Sequence, residues 1–386
     1  MRKVVFCTRA RLFACILLLL TLVLVIGVSA EEISLETLPQ EYLDFLESLP
    51  QEILDLLPDT LFSTDSNEVG SGVGELSDFS YLLQTLLSLV GLRLGACAGL
   101  LASVCGILMI SAVCKALQSN LRTESVARAF SFCTTAAIIV LLFSKGFSSM
   151  QATADYFQTL NHFTSASIPL MGGLYAIGGN VSSAVATSAG LTVFLTVLEE
   201  IVGRTVIPFC GICLALSMVN AMDSSVRVGT LLGSIKKNYT TLLSFLMMLL
   251  LAMLASQSIL GAAKDTLAMR SAKFAAGSMI PVVGGSVAEL IKTVSASVGY
   301  LRGTVGICGV LLLLLLLFPT LVELLLVRMT WQLGASLADL LGCDGEKKLL
   351  EEFASINGYL IAAVAICSSV LFFAFTIFMH CASAIA

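Results

Sequence analysis

Residues 305–327 read VGICGVLLLLLLLFPTLVELLLV, twenty-three positions with one ionisable side chain, Glu323. A helix of that length reaches across the ~30 Å hydrocarbon core of a bilayer. Comparable apolar runs lie near 94–114, 129–149, 166–188, 205–222, 240–262, 279–300 and 357–380. The sequence therefore predicts an all-α polytopic membrane protein with about eight transmembrane helices. Composition agrees. The 386 residues are 57% hydrophobic and 12% charged, with a mean hydropathy of +0.97. Soluble domains carry about twice that charge, and disordered chains are far less apolar. The 12 cysteines are scattered through apolar runs and do not form a disulfide framework.

Outward from that core, charge is sharply divided. Residues 1–30 carry Arg2, Lys3, Arg9 and Arg11 and no acid, whereas residues 31–78 carry thirteen acids and no base. Lys and Arg are kept on the cytoplasmic side of membrane proteins, so a 48-residue stretch without either belongs on the exported side. The N-terminus concurs. A basic start precedes an apolar run from Leu12 to Val28, and Val28-Ser29-Ala30 places small residues at −3 and −1 before Glu31. That pattern predicts a signal peptide cleaved after Ala30.

Residues 38–59 repeat an 11-residue unit, LPQEYLDFLES then LPQEILDLLPD. Tyr42, Leu46, Leu49, Ile53 and Leu57 recur at helical spacing, and Pro39 and Pro50 suit first turns. Short amphipathic helices result, whose apolar face needs cover from the membrane interface, another copy, a partner or the protein's own loops. Their negative charge disfavours anionic headgroups and favours a protein partner. Residues 63–78 read as a polar Gly/Ser linker. A stretch from Phe79 to Leu92 leads into the first span, where Arg93 is placed to snorkel. Residues 328–352 read as a surface helix pair.

Four of the seven prolines lie in the membrane region: Pro169, Pro208, Pro281 and Pro319. Pro169 and Pro281 are 112 residues apart, and Pro208 and Pro319 are 111 apart. SIPLMGG at 167–173 resembles MIPVVGG at 279–285, and LLGSIKK at 231–237 echoes LLGCDGEKK at 340–348. An internal duplication follows. The chain then divides into a signal peptide (1–30), an acidic segment with linker (31–78), an entry helix and first span (79–128), two membrane repeats (129–239 and 240–352) and a C-terminal transmembrane helix (353–386).

If every run crosses, the matching helices lie three crossings apart and the repeats are inverted. Re-entrant IPxxGG segments would make them parallel. Counting Lys and Arg gives ten inside and four outside for the crossing arrangement, against nine and six for the other. The inverted repeat is therefore expected, although it strands Arg227, Lys236 and Lys237 outside.

Proline removes a backbone donor and paired glycines permit bends. At membrane depth both fit only where carbonyls are buried in protein or face a wet cavity. Pro169, Gly172, Gly173, Pro281, Gly284 and Gly285 are thus candidates for a pathway lining or for close helix packing. Ionisable groups at that depth are costly and informative. Glu289 and Lys292 fall at i, i+3 and could pair, and Glu323 precedes Arg328 by five residues. Glu199, Glu200 and Arg204 cluster at a span boundary. The two histidines, His162 and His380, have no ligand partner at useful spacing. No phosphate-binding loop, dinucleotide fingerprint or HExxH occurs. Cys210 and Cys213 form a CxxC inside an apolar span, where small buried residues need no redox role. No catalytic residue, cofactor, metal or nucleic-acid site is expected.

The run RSAKFAAGSMIPVVGGSVAEL (270–290), then TVGICGV (304–310) and the Pro319 helix, resembles the stage III sporulation protein AE family. The order of parts resembles it too, from about residue 95 to 380, whereas SASIPLMGG lacks the AKF lead. The resemblance implies a component of the membrane assembly that connects mother cell and engulfed forespore in endospore-forming bacteria. It implies sister stage III proteins as partners, among them a secretion-type ATPase and ring-forming proteins. It also implies a multi-pass location in the mother-cell membrane around the forespore. No catalytic residue transfers from it. A channel component, a structural organiser and an autonomous secondary transporter all remain open, as does a homo-oligomer.

Overall fold

In lipid a backbone N–H or C=O has no partner but its own helix. The computed structural model describes residues 40–47, 49–55, 57–63, 65–118, 124–178, 180–198, 204–222, 228–279 and 284–380, and among them every regular element is helical. In chain order these are α1 (Gln40–Glu47), α2 (Gln51–Leu54), a 3-10 turn (Asp59–Phe62), α3 (Ser66–Ser77), α4 (Phe79–Gln118), α5 (Glu124–Ile177), α6 (Val181–Val197), α7 (Arg204–Met222), α8 (Val228–Met279), α9 (Gly284–Leu340) and α10 (Asp344–His380). Four stretches are long and apolar enough to cross a membrane: Arg93–Leu117, Gly233–Ser256, Ser297–Leu340 and Asp344–Met379. The predicted signal peptide lies outside the described residues.

The eight apolar runs do not become eight separate helices. From Gly284 onward, the runs 279–300 and 305–327 share α9, whose 57 residues form one rod of roughly 85 Å. A continuous helix cannot reverse, so these are not two crossings. Pro319 sits inside it without a break, as Pro169 does inside the 54-residue α5. Each proline costs one backbone bond, and unwinding in lipid would forfeit several more. The run 166–188 divides instead at Gly178–Asn180, where the Asn180 N–H donates to the Tyr175 carbonyl at 2.9 Å and α6 begins. Residues 328–352 are not a surface pair. They are the ends of α9 and α10 around a tight turn, with Trp331, Ala335, Ala338, Leu349 and Leu350 buried. Gly342 takes φ +68. The Cys343 N–H reaches the Ala338 carbonyl at 2.8 Å, and the Gly342 N–H reaches Asp339 at 3.1 Å. This double closure needs a left-handed residue, the conformation glycine adopts at no steric cost.

Side-chain registers fix helix directions. α9 and α10 are an antiparallel hairpin: Gly306 faces Met379, Gly309 faces Phe375, and Trp331 stacks on Phe353 with centroids 4.9 Å apart. α4 runs parallel to α9, since Arg93 pairs with Glu323 and Gly334 abuts Val104. α5 runs parallel to α10, with Gly146 against Phe353, Tyr156 bonded to Ser368 and Phe163 beside Phe375. α8 also follows α10, through Lys236 with Glu352 and then Tyr239 and Leu243 beside Ala362, Ala363 and Ile366. The helix carrying the first IPxxGG motif and the helix leading to the second therefore run the same way. The α9 stretch that follows the second motif runs opposite to both. The parity count behind the inverted repeat treated 279–300 and 305–327 as separate crossings, and from Gly284 onward α9 joins them.

The same registers place bases at both ends of the bundle. Lys115, Lys236, Lys347 and Lys348 gather near the α9–α10 turn, whereas the continuous α8 carries Lys264, Arg270 and Lys273 toward the opposite end, where Arg302 of α9 lies 5.6 Å from the Tyr175 ring centre. The acidic segment packs at the far end. Tyr42, Phe45, Leu46, Leu49, Ile53, Leu57 and Leu61 are buried. Phe45 stands 4.9 Å from Phe163 and 6.3 Å from Phe375, and the Tyr42 hydroxyl is 3.8 Å from the Cys308 thiol. The apolar face is thus covered by the protein's own α5, α9 and α10, and not by a partner. The expected linker 63–78 is largely α3, with Val69, Val73 and Leu76 buried at i, i+4, i+7. Its glycines are packing positions: a Cβ on Gly70 would lie 2.6 Å from the Tyr300 hydroxyl oxygen.

Burial, then the neighbouring Cys308, raises the Tyr42 phenol above its ordinary 10.0. A detached headpiece would ionise at that ordinary value and a docked one would not. Docking is therefore unaffected below pH 10 and weakens above it, by up to about tenfold per pH unit. Protease access to residues 40–77, followed from pH 8 to 11, should rise in the parent protein. It should stay level in Tyr42→Phe relative to its own pH 8 value.

Candidate functional site: ion pairs within the helix bundle

The proposed pathway residues that the structure describes fall on α5 and α9. Pro169 lies exposed on α5, near the headpiece end. A Cβ on Gly172 would sit 3.1 Å from Ser188 Oγ of α6, which makes Gly172 a close-packing position, while Gly173 meets nothing within 4 Å. Pro281 lies outside the described residues. Gly284 and Gly285 open α9, and Glu289 and Lys292 follow on its helical backbone. Glu199 and Glu200 are outside the described residues, and Arg204 starts α7 in an exposed position.

Glu323 is the one predicted ionisable residue with a described partner. It pairs with Arg93 of α4 at 3.1 Å, and the Arg328 guanidinium lies where a Cβ on Gly358 of α10 would stand, 2.9 Å from Arg328 Nη1. Arg93 therefore turns inward to α9, where snorkelling was expected. Its helix positions it so: Arg93, Cys97, Val104, Leu108 and Ser111 share one face, and the last four are buried.

Two further polar contacts were not singled out by the sequence. Ser111 and Lys115, at i, i+4 on α4, converge on Glu346. Ser111 Oγ donates to Oε1 at 2.6 Å and Lys115 Nζ to Oε2 at 3.0 Å. Glu346 is 2% exposed and lies in the first turn of α10, where the helix N-terminus also favours a carboxylate. The signal was legible as an acid just after Gly342, but nothing local named its partner. In the second contact, Lys236 of α8 is 3% exposed. It pairs with Glu352, donates to Ser355 Oγ at 3.3 Å and lies 5.9 Å from the Tyr359 ring centre. Glu352, Ser355 and Tyr359 fall at i, i+3, i+7, one face of α10.

These contacts tie α4 and α8 to the α9–α10 hairpin. They satisfy charge, and each carboxylate is engaged by a cation. Among the described residues no group of three His, Cys, Asp or Glu is placed to hold a metal ion. Cys210 and Cys213 are free and buried on α7. Cys210 borders a cavity of about 10 Å³ with Val206, Phe209, Tyr239 and Tyr359, room for about one water.

The family model of stage III sporulation protein AE (spore_III_AE) matches residues 66–383. The chain belongs to the stage III sporulation protein AE family. It is 25% identical over 299 residues to stage III sporulation protein AE of Bacillus subtilis (strain 168), covering 78% of this chain and 73% of that protein. No solved structure matches. Membership and the four apolar helices make the chain a sporulation membrane component. The match begins at Ser66, the start of α3. It thus includes every ion pair described above, while α1 and α2 precede it.

Proposed function

We propose that this stage III sporulation protein AE family member is an integral-membrane part of the channel or secretion-like complex linking mother cell and forespore. It would sit in the mother-cell membrane around the forespore, with its signal peptide removed and its acidic headpiece on the exported side. Other stage III proteins, including a secretion-type ATPase and ring-forming proteins, would be its partners. The observation that carries this reading is the family match over residues 66–383 together with four helices long and apolar enough to cross a membrane. Lys and Arg lie at both ends of the bundle, so the exported placement of the headpiece rests on its own base-free stretch, residues 31–78.

Within that complex the packing favours an organiser over a conduit inside one copy. α9 and α10 meet where Gly306 and Gly309 pack against Phe378 and Phe375, and Leu311, Leu312 and Leu315 just beyond are buried. The cavity between α7, α8 and α10 holds about one water. A solute or polypeptide route would then lie between copies or partners. An autonomous transporter, by contrast, should move a solute when reconstituted alone.

The test uses a spore-former lacking its own family member and complemented with this chain. Deleting residues 38–59 should dissolve the complex and arrest forespore development, whereas Glu289→Ala and Gly284→Leu should leave the complex assembled and supply intact. Lost supply in an assembled complex after those point changes would favour the conduit. Single cysteines at Asp44 and Lys348 should react with impermeant reagent from opposite faces of the membrane, and reaction from one face overturns the orientation.

A further inference from the structure

Among the described residues, the buried side-chain polar atoms without a hydrogen-bond partner include Ser149 Oγ, Trp331 Nε1 and Asn357 Oδ1. Their residues are 3%, 0% and 2% exposed. They come from α5, α9 and α10, and one side chain locates them all. The Phe353 ring stacks on Trp331 at 4.9 Å with planes 22° apart. The same ring packs on Gly146, where a Cβ would stand 3.1 Å from Phe353 Cζ. Ser149 follows Gly146 by one helical turn and Asn357 follows Phe353 by one turn. Because α5 and α10 run parallel, with Tyr156 bonded to Ser368 further along, Ser149 and Asn357 share a level. The antiparallel α9 brings Trp331 within a turn of it, since Arg328 lies against Gly358. Asn357 Nδ2 is engaged, donating to the Phe353 carbonyl at 3.2 Å, so its oxygen is the atom left over.

We infer that Ser149, Trp331 and Asn357 form a binding site for a single water molecule between α5, α9 and α10. The donor and acceptor inventory is complementary to water and to little else. An indole N–H can only donate, an amide oxygen can only accept, and a serine hydroxyl does either. One water accepts from Trp331, donates to Asn357 and closes on Ser149, the usual three bonds of a buried water. These three side chains carry no charge to hold an ion. Asn357 lies thirteen residues from the start of α10, roughly 20 Å along the helix, at a depth where no bulk water can serve the three groups. The site ties α5 to the α9–α10 hairpin, which none of the described ion pairs does.

The test is the sign of two substitutions in the full-length protein in lipid nanodiscs. Ser149→Ala and Asn357→Leu each remove a ligand and strand the rest of the site, so each should lower the unfolding midpoint by about 2 °C or more. If the atoms are instead orphans, an apolar replacement relieves their burial and raises the midpoint, which overturns the proposal. Trp331 is the one tryptophan in the chain, so intrinsic emission reports this site alone. Emission should move to the blue in the Ser149→Ala/Asn357→Leu double variant. Emission already blue in the parent and unchanged in the variant sinks the idea. So does an experimental density map in which Trp331 Nε1 contacts Asn357 Oδ1 directly.

Discussion

Gly309→Leu is expected to cost this protein about 3 kcal/mol or more of stability, by overpacking the α9–α10 seam. Even the first added carbon would stand 2.7 Å from Phe375 Cζ. The ring cannot step aside freely, because Phe375 is itself packed 5.8 Å from Phe163 and 6.3 Å from Phe45. Moving it loosens α5 and lifts the headpiece together. Thermal unfolding in detergent should fall markedly, and protease access to residues 40–77 should rise with it. Adding Phe375→Ala should recover part of the loss by returning volume. Gly299→Leu is the control, since a Cβ there meets nothing within 4 Å. A Gly309→Leu protein as stable as Gly299→Leu would refute the seam as drawn.

Glu352→Gln is the second large effect. Lys236 is 3% exposed, and neutralising its partner leaves an ammonium without a counter-charge. Breaking a buried pair from one side costs about 3–5 kcal/mol, and the partial exposure of Glu352 places this case toward the lower end. Lys236→Met together with Glu352→Leu should be milder than Glu352→Gln alone, because both desolvated charges are then gone. A double-mutant cycle on unfolding midpoints measures the coupling. Additive single effects would mean that the pair contributes nothing.

The local signals were legible because they depend on short windows. The apolar run 305–327, the base-free segment 31–78 and the i, i+4 spacing of Tyr42 and Leu46 each follow from a few neighbouring residues. Composition misled where it was read without periodicity. Residues 63–78 look like a linker by their Gly and Ser content, yet Val69, Val73 and Leu76 lie on one helical face and are buried. Helix continuity misled in the other direction. Pro169 and Pro319 were natural places to break a helix, and neither breaks one. A proline in lipid has no cheaper conformation to escape into.

Charge partners were the least legible. Glu323 was singled out, but its partner Arg93 is 230 residues away, and Glu346 takes Ser111 and Lys115 across a similar separation. Nothing in a local window distinguishes Arg93 from a snorkelling arginine. The depth of an ionisable group is a property of its helix, whereas the identity of its counter-ion is a property of the packing.

By itself the sequence determined that this chain is a helical membrane protein with a base-free acidic segment at its N-terminal side, because hydrocarbon admits only long apolar helices and the charge of a short window is read directly from its residues. The tertiary structure decided what the helices do to one another. It merged neighbouring runs into single rods, set α5 and α8 running the same way and folded the acidic segment onto its own bundle. Those outcomes depend on which side chains interlock across hundreds of residues, and burial and contact energy between distant faces are not written in any local pattern.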